Sequence, residues 1–269
     1  MSPLVIPLGL IIGLALGALG GGGSIITVPA LVYLLGQEPG TATTSSLLIV
    51  GATSLIAVLP HARAGRVRVG QGLMFGALGT GGSYAGSLLA SRVAPAVLLT
   101  AFAGLMFVVA TVMLVRSRRG GAGDGPADLS REPIVTVRPL TCACPRLAKL
   151  VLTATGVGLL TGFFGVGGGF VLVPALVLAL SFPMPVAVGT SLLVIAVNSS
   201  TALLARVSTV GADLDWPLIA GFTVAAVAGS LVGGRLASRL QPVVLTRAFA
   251  SLVLVVATYT AASSLPALV

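Results

Sequence analysis

Two runs of glycine are the residues of this chain whose type and spacing best suit ligand chemistry. The first covers residues 20–23 and is followed by Ser24, and the second covers residues 165–169, at an offset of 145. Each run interrupts an apolar segment, and consecutive glycines free backbone N–H groups from helical pairing. Free N–H groups and the positive ends of helix dipoles bind anions. The two runs therefore predict a site for a small oxyanion.

Hydroxyl side chains follow each glycine run at matching positions. Ser45 and Ser46 lie at the start of the third apolar segment of the first half, and Thr190 and Ser191 lie at the same offset of 145 in the second half. Such hydroxyls often cap a helix, so capping and ligand contact are both open for them. Asn198 lies in the middle of the later segment, where an amide either bonds a neighbouring helix or donates to substrate.

One histidine and one arginine occupy matching positions at the far ends of those segments, His61 and Arg206. Both types commonly reach towards the membrane interface. An inward Arg206 would steer or gate an anion, and His61 titrates near neutral pH, which would permit coupling to H+. We therefore treat both as candidates for gating or coupling.

The residues predicted to bind substrate combine the glycine runs with the hydroxyl and amide positions. They are Gly22, Gly23, Ser24, Ser45, Ser46, Gly165, Gly167, Gly168, Gly169, Thr190, Ser191 and Asn198. By contrast, Gly13, Gly17, Gly158 and Gly162 have the GxxxG spacing that favours close helix packing.

Neither catalysis nor a cofactor is predicted. The only histidine and the six acidic residues lie at segment ends or in loops, so the apolar segments offer no catalytic constellation. Cys142 and Cys144 are too few for a structural metal site. The sequence predicts a protein that is not an enzyme and that holds no metal.

Composition places the chain in a membrane. Hydrophobic residues make up 56% of it, charged residues 8%, and the mean hydropathy is +1.12. The net charge of +9 lies in short stretches between apolar runs, as topology signals do, which argues against nucleic acid as a partner. The predicted surroundings are a lipid bilayer.

Ten apolar segments, five in each half, predict an all-α polytopic protein with about 8–10 membrane segments. Three of each five are long enough to cross about 30 Å of hydrocarbon. The first two of each half are shorter and meet at a glycine run, so they are either tilted crossings or a glycine-interrupted helical hairpin. The segments cover about 3–19, 24–36, 43–60, 70–90, 96–115, 150–164, 169–182, 186–205, 216–237 and 243–264.

An internal duplication divides the chain. Ser46-Leu-Leu recurs as Ser191-Leu-Leu, and Leu89-Ala-Ser-Arg recurs as Leu236-Ala-Ser-Arg. The predicted parts are a first membrane repeat at 1–115, a basic linker at 116–149 and a second membrane repeat at 150–269.

The basic residues predict how the repeats lie in the membrane. Placing 61–69, 116–149 and 235–247 in the cytoplasm puts 13 of the 15 basic residues inside. Each half then has an odd number of crossings, so the repeats are inverted and both termini are periplasmic or extracellular. Paired inverted repeats with interrupted segments are typical of transporters with a site at the membrane midplane.

Three stretches resemble the TauE/SafE sulfite exporter family, also called the toluenesulfonate uptake permease family. They are Gly162-Phe-Phe-Gly-Val-Gly-Gly-Gly-Phe-Val-Leu-Val-Pro174, Val188-Gly-Thr-Ser191 and Gly229-Ser-Leu-Val-Gly-Gly-Arg-Leu-Ala237. The resemblance implies a bacterial inner-membrane permease or exporter for small sulfur-containing or organic anions, such as sulfite or sulfoacetate, driven by an ion gradient. The first copy departs from the pattern at 20–24 and 44–46, so equal contributions from the two halves stay open.

The expected function is therefore export of a small anion by alternating access. The competing hypothesis is a membrane scaffold or sensor that docks a partner through the 116–149 loop. A channel is disfavoured because the sequence supplies no ring of filter residues in several copies. Assembly into a homodimer is left open.

Overall fold

The computed structural model describes residues 4–90, 93, 95–118, 144–164, 169–206 and 214–264, and these contain helices and no strand. The all-α prediction is confirmed. Five helices fall in each half, as the hydropathy pattern predicts. They are α1 (Val5–Leu19), α2 (Gly22–Pro29, continued by a π-helical segment at Ala30–Leu34), α3 (Pro39–Arg63), α4 (Val69–Ala90), α5 (Pro95–Arg118), α6 (Cys144–Phe164), α7 (Gly169–Leu178), α8 (Met184–Arg206), α9 (Trp216–Arg239) and α10 (Pro242–Ser264).

Of the six long segments that the sequence predicts, four helices within the described residues are long and apolar enough to cross a membrane: Thr41–Arg63, Met184–Leu204, Trp216–Arg239 and Pro242–Ala261. Only one of these four lies in the first half. Shorter apolar helices include α1, α7 and Leu150–Phe163. The outer surface suits lipid, since large apolar side chains such as Ile6, Leu152 and Val255 are exposed there.

The first two segments form a helical hairpin. α1 ends where Gly20 adopts a φ of 72°, a left-handed conformation that glycine adopts without strain. α2 then returns along α1, so that Gly23 packs against Leu16 and the carbonyl of Ile12. The 15 residues of α1 span about 22 Å, which is short of the hydrocarbon thickness and favours the hairpin over two full crossings.

The first helix of each half packs against the fourth helix of the other half. α1 lies along α9, where Gly13 and Gly17 press on the backbone of Ala226 and Ser230. The matching pair is α6 along α4, and there Gly158 and Gly162 press on Gly79 and Ser83. The prediction that these four glycines serve close packing is confirmed, because side chains at these positions would overlap the neighbouring backbone.

The third helices of the two halves, α3 and α8, run past each other in opposite directions. Gly51 faces Ser199 near the middle of both helices, and His61 at the end of α3 lies beside Gly189 near the start of α8. α5 packs on α10, and Phe102 of α5 makes an edge-on ring contact with Phe170 of α7 at a centroid distance of 5.0 Å. The α5–α7 ring contact thus joins the second short helix of the second half to a long helix of the first half.

Candidate functional site

The glycine runs of the two halves meet inside the bundle. Gly21 lies against the carbonyl of Gly169, and a Cβ atom on it would come within 2.8 Å of the Phe170 nitrogen. A Cβ atom on Gly20 would come within 2.5 Å of Ser191 Oγ. The described part of the site therefore joins the break between α1 and α2 to the start of α7 and to Ser191 of α8.

Ser24 and Gly169 face each other at this junction, and they are equivalent positions in the duplication. The Ser24 hydroxyl is buried and donates to the Gly21 carbonyl at 2.7 Å. Gly22 opens α2, while Gly23 packs against α1 within the hairpin. The predicted site residues Gly165, Gly167 and Gly168 lie outside the described residues.

The predicted hydroxyls do not cap helices. α3 begins at Pro39 and α8 at Met184, so Ser46 and Ser191 lie beyond the first turn. Ser46 Oγ donates to the Thr43 carbonyl and Ser191 Oγ to the Val188 carbonyl, each at 2.8 Å. Capping is thus the wrong interpretation, and both hydroxyl oxygens keep acceptor capacity.

Ser45 and Thr190 are equivalent positions, and both are fully buried. The Ser45 hydroxyl has no hydrogen-bond partner among the described residues. Thr190 Oγ1 accepts a hydrogen bond from the backbone N–H of Arg68 at 3.2 Å. The Thr190 hydroxyl, which the sequence predicts to contact substrate, therefore accepts a hydrogen bond from the loop between α3 and α4.

His61 is buried inside the bundle, with 4% of its surface exposed. Its Nε2 lies 3.3 Å from the Gly17 carbonyl, in the last turn of α1, where helical carbonyls lack a helical partner. Gly189 and Gly234 leave the space that the ring occupies. A donating Nε2–H is the tautomer that satisfies this carbonyl, and it leaves Nδ1 as an unpartnered acceptor.

The other gating candidate, Arg206, is the last residue of α8, and its side chain lies outside the described residues. Its role stays a prediction.

Asn198 lies apart from the junction of the breaks. It is about two turns further along α8 than Thr190, which is about 12 Å of helix rise. A Cβ atom on Gly76 of α4 would lie 3.6 Å from its Oδ1, which has no partner among the described residues. The predicted site residues on α8 thus form two separate groups, Thr190 with Ser191 and Asn198 alone.

Sequence reasoning left out two buried hydroxyls on α3, Thr53 and Ser54. Both are fully buried and lack a hydrogen-bond partner among the described residues. Thr53 is the repeat equivalent of Asn198 and Ser54 that of Ser199, so the offset of 145 was the signal that identifies them. They lie where α3 crosses α8.

Comparison with known proteins places the chain among membrane transporters. The model of the sulfite exporter TauE/SafE family matches residues 5–260. A probable membrane transporter protein of Xylella fastidiosa (strain 9a5c) is 33% identical over 253 residues, covering 93% of this chain and 90% of the relative. The probable membrane transporter protein YunE of Bacillus subtilis (strain 168) is 28% identical over 251 residues, covering 88% of each.

A more distant relative is the probable membrane transporter protein MJ0441 of Methanocaldococcus jannaschii. It is 24% identical over 209 residues, covering 76% of this chain and 72% of the relative. No solved structure matches the chain.

Proposed function

This chain belongs to the TauE/SafE sulfite exporter family of membrane transporters, and we propose that it exports a small sulfur-containing or organic anion by alternating access. One observation carries the substrate class. α2 begins at Gly22 and α7 at Gly169, and the backbones of the two breaks are in contact. The N-terminal ends of two helices therefore meet at one buried place, and helix N-termini, with their positive dipole ends and first-turn N–H groups, suit an oxyanion.

The hydroxyls near this junction would supply further contacts. Ser24 and Ser191 each donate to the backbone carbonyl three residues earlier, so their oxygens can accept from a protonated anion or from water. The predicted substrate set also includes Ser45, Ser46, Thr190 and Asn198, with Gly165, Gly167 and Gly168 of the second run. Sulfite and sulfoacetate are the proposed substrates.

The packing of the two halves supports alternating access between inverted repeats. Equivalent helices α3 and α8 run in opposite directions, and the first helix of each half packs on the fourth helix of the other. Opposite directions of equivalent helices are what inversion in the membrane requires. In the proposed arrangement the termini are periplasmic or extracellular, the 116–149 linker is cytoplasmic, and the chain resides in the cell inner membrane.

Counterflow in proteoliposomes tests this proposal. Vesicles preloaded with sulfite should take up labelled sulfite only when they contain the protein, with sulfoacetate, thiosulfate and taurine as competitors. Absence of protein-dependent exchange for every anion of this panel would refute the substrate class. A carrier exchanges under these conditions without net flow, which separates it from a channel.

Substituting the junction glycines links that exchange to the site. Gly21→Ala should reduce exchange by about tenfold or more, the effect of losing about 1.4 kcal/mol of binding, because its Cβ atom would overlap the Gly169 backbone. Gly156→Ala on α6 is the matched control, since a Cβ atom there meets nothing within 4 Å. Equal activity of the two variants, at equal yield of folded protein, would contradict a site between the breaks.

Ion coupling is a separate part of the proposal. We assign H+ coupling to His61, whose ring is buried against α1 at the junction of α3, α8 and α9. His61→Gln keeps an N–H donor in reach of the Gly17 carbonyl but does not titrate. It should leave sulfite counterflow intact and abolish the acceleration of uptake by an imposed pH gradient. A retained response to the gradient would remove His61 from coupling.

The scaffold hypothesis predicts the opposite pattern of sensitivity. Deletion of residues 120–140 would then abolish function, while changes at the glycine runs would be tolerated. For a transporter we expect exchange to survive the deletion. Homodimer formation is tested by the mass of the protein in detergent and is not needed for the site described.

A further inference from the structure

The loop between α3 and α4, residues 64–68, covers the start of α8. Its N-terminal end is fixed to α3: Gly65 adopts a φ of 68° and donates to the Ala62 carbonyl, and Arg66 N–H donates to the His61 carbonyl at 2.9 Å. This is the usual way in which a glycine ends a helix. The loop therefore leaves α3 in one defined direction.

Two contacts hold the loop on α8. Arg68 N–H donates to Thr190 Oγ1 at 3.2 Å, and a Cβ atom on Gly189 would come within 2.6 Å of the Arg66 carbonyl oxygen. Val67, between these contacts, is partly buried and packs against the main apolar core. The backbone of the loop thus lies directly on Gly189 and Thr190.

What the loop covers is part of the proposed anion site. Thr190 and Ser191 are both fully buried, and Ser191 lies against Gly20 at the junction of the breaks. Thr190 cannot give the same acceptor position both to Arg68 and to a ligand donor, and no solvent reaches it in this conformation. Ligand access to Thr190 from this end of the bundle requires the loop to move.

We propose that residues 64–68 form the gate at this end of the transport pathway, closed here by the Arg68–Thr190 hydrogen bond. This inference rests on the proposed function, since it names the element that alternates in access. Thr190 and Gly189 are positioning residues for the closed loop. The gate also carries Arg66 and Arg68, whose positive charge raises the local concentration of an anion at the entrance.

The test measures opening of the loop directly and needs no substrate. Val67→Cys, in a protein with Cys142→Ala and Cys144→Ala, reports opening through its rate of reaction with a hydrophilic maleimide in nanodiscs, where both faces are accessible. Ala64 is exposed, so the labelling rate of Ala64→Cys serves as the reference for an unprotected cysteine. In the otherwise unchanged protein, position 67 should react at least about tenfold more slowly than position 64, the protection that one or two net hydrogen bonds provide.

Two substitutions should open the gate by different routes. Thr190→Val keeps the size of the side chain but removes the acceptor, and Gly189→Ala pushes the Arg66 carbonyl away. Each should raise the labelling rate at position 67 severalfold towards the rate at position 64. Thr190→Ser retains the acceptor and should restore the slow rate, which a general loss of packing would not explain.

Ser200→Ala is the matched control on α8, because that side chain is exposed and bonds only the Ala196 carbonyl within its own helix. It should label as slowly as the parent protein. The proposal is overturned if position 67 reacts as fast as position 64 in the parent, or if neither Thr190→Val nor Gly189→Ala changes its rate. Absence of anion exchange in proteoliposomes would refute the proposed function and leave these labelling rates unchanged, so the two failures are distinguishable.

Discussion

Some buried polar side chains of this bundle have a hydrogen-bond partner among the described residues, and others have none. Ser24, Ser46 and Ser191 each donate to the backbone carbonyl three residues earlier in the chain, which a hydroxyl in a membrane helix can do without any ligand. Asn198 differs, because its buried Oδ1 has no partner among the described residues. An unpaired buried acceptor is costly, which supports the proposed contact of Asn198 with a ligand.

Substitution of Asn198 separates ligand contact from interhelical bonding. Asn198→Ala should lower sulfite exchange by about tenfold or more, the loss of a hydrogen bond to a charged ligand. The thermal unfolding temperature should stay near that of the parent, because no described partner is left unpaired. Ser200→Ala should change neither quantity. A large fall in unfolding temperature for Asn198→Ala, with exchange per folded molecule unchanged, would show that the amide holds helices together.

At the scale of helices, glycine sets how closely the two halves approach. Gly158 and Gly162 bring α6 onto the backbone of α4, and Gly13 and Gly17 bring α1 onto α9. Lipid tails are as apolar as the helix surfaces, so close packing replaces the hydrophobic effect as the force that holds these pairs. This contact positions α1 and α6, the helices that precede the two glycine runs.

A large side chain in this contact should therefore destabilise the protein. Gly162→Leu places its Cβ atom in the Ser83 backbone and should cost about 3 kcal/mol or prevent folding, at the upper end of overpacking effects. Gly156→Leu on the same helix meets open space and should cost less than about 1 kcal/mol, as surface changes usually do. Thermal unfolding in detergent measures both, and equal unfolding temperatures would contradict the packing role.

At the scale of the whole molecule, the arrangement of the two halves supports the proposed mechanism of alternating access. The charge asymmetry of equivalent loops agrees with the antiparallel passage of α3 and α8: residues 61–69 carry three arginines, while residues 206–215 carry one arginine and two aspartates. In the proposed inverted arrangement, equivalent loops lie on opposite sides of the membrane. The loop at 64–68 would then close the cytoplasmic side.

Labelling from one side at a time tests this inversion. Arg66→Cys and Gly211→Cys, in a protein with Cys142→Ala and Cys144→Ala, should react with a membrane-impermeant maleimide from opposite faces. Right-side-out vesicles should label position 211, and inside-out vesicles position 66. Labelling of both positions from the same face would refute the inverted topology.

The sequence by itself determined the all-α class, the membrane composition, the duplication and the positions of the glycine breaks, because these are local or periodic properties of the chain. It also identified Gly13, Gly17, Gly158 and Gly162 as packing residues from their spacing alone. The residues of the candidate site were predictable by type, since the offset of 145 pairs Ser45 with Thr190 and Ser46 with Ser191.

Only the tertiary structure decided which helices meet. It brought Gly21 to Gly169, buried His61 beneath the end of α1, and laid the backbone of Arg68 on Thr190. The physical reason is that helices in a membrane are apolar on every side, so their sequence carries little of the polar and apolar alternation that reveals a buried face in water. Contacts between distant residues depend instead on the fit of small and large side chains, which becomes visible when the helices are packed.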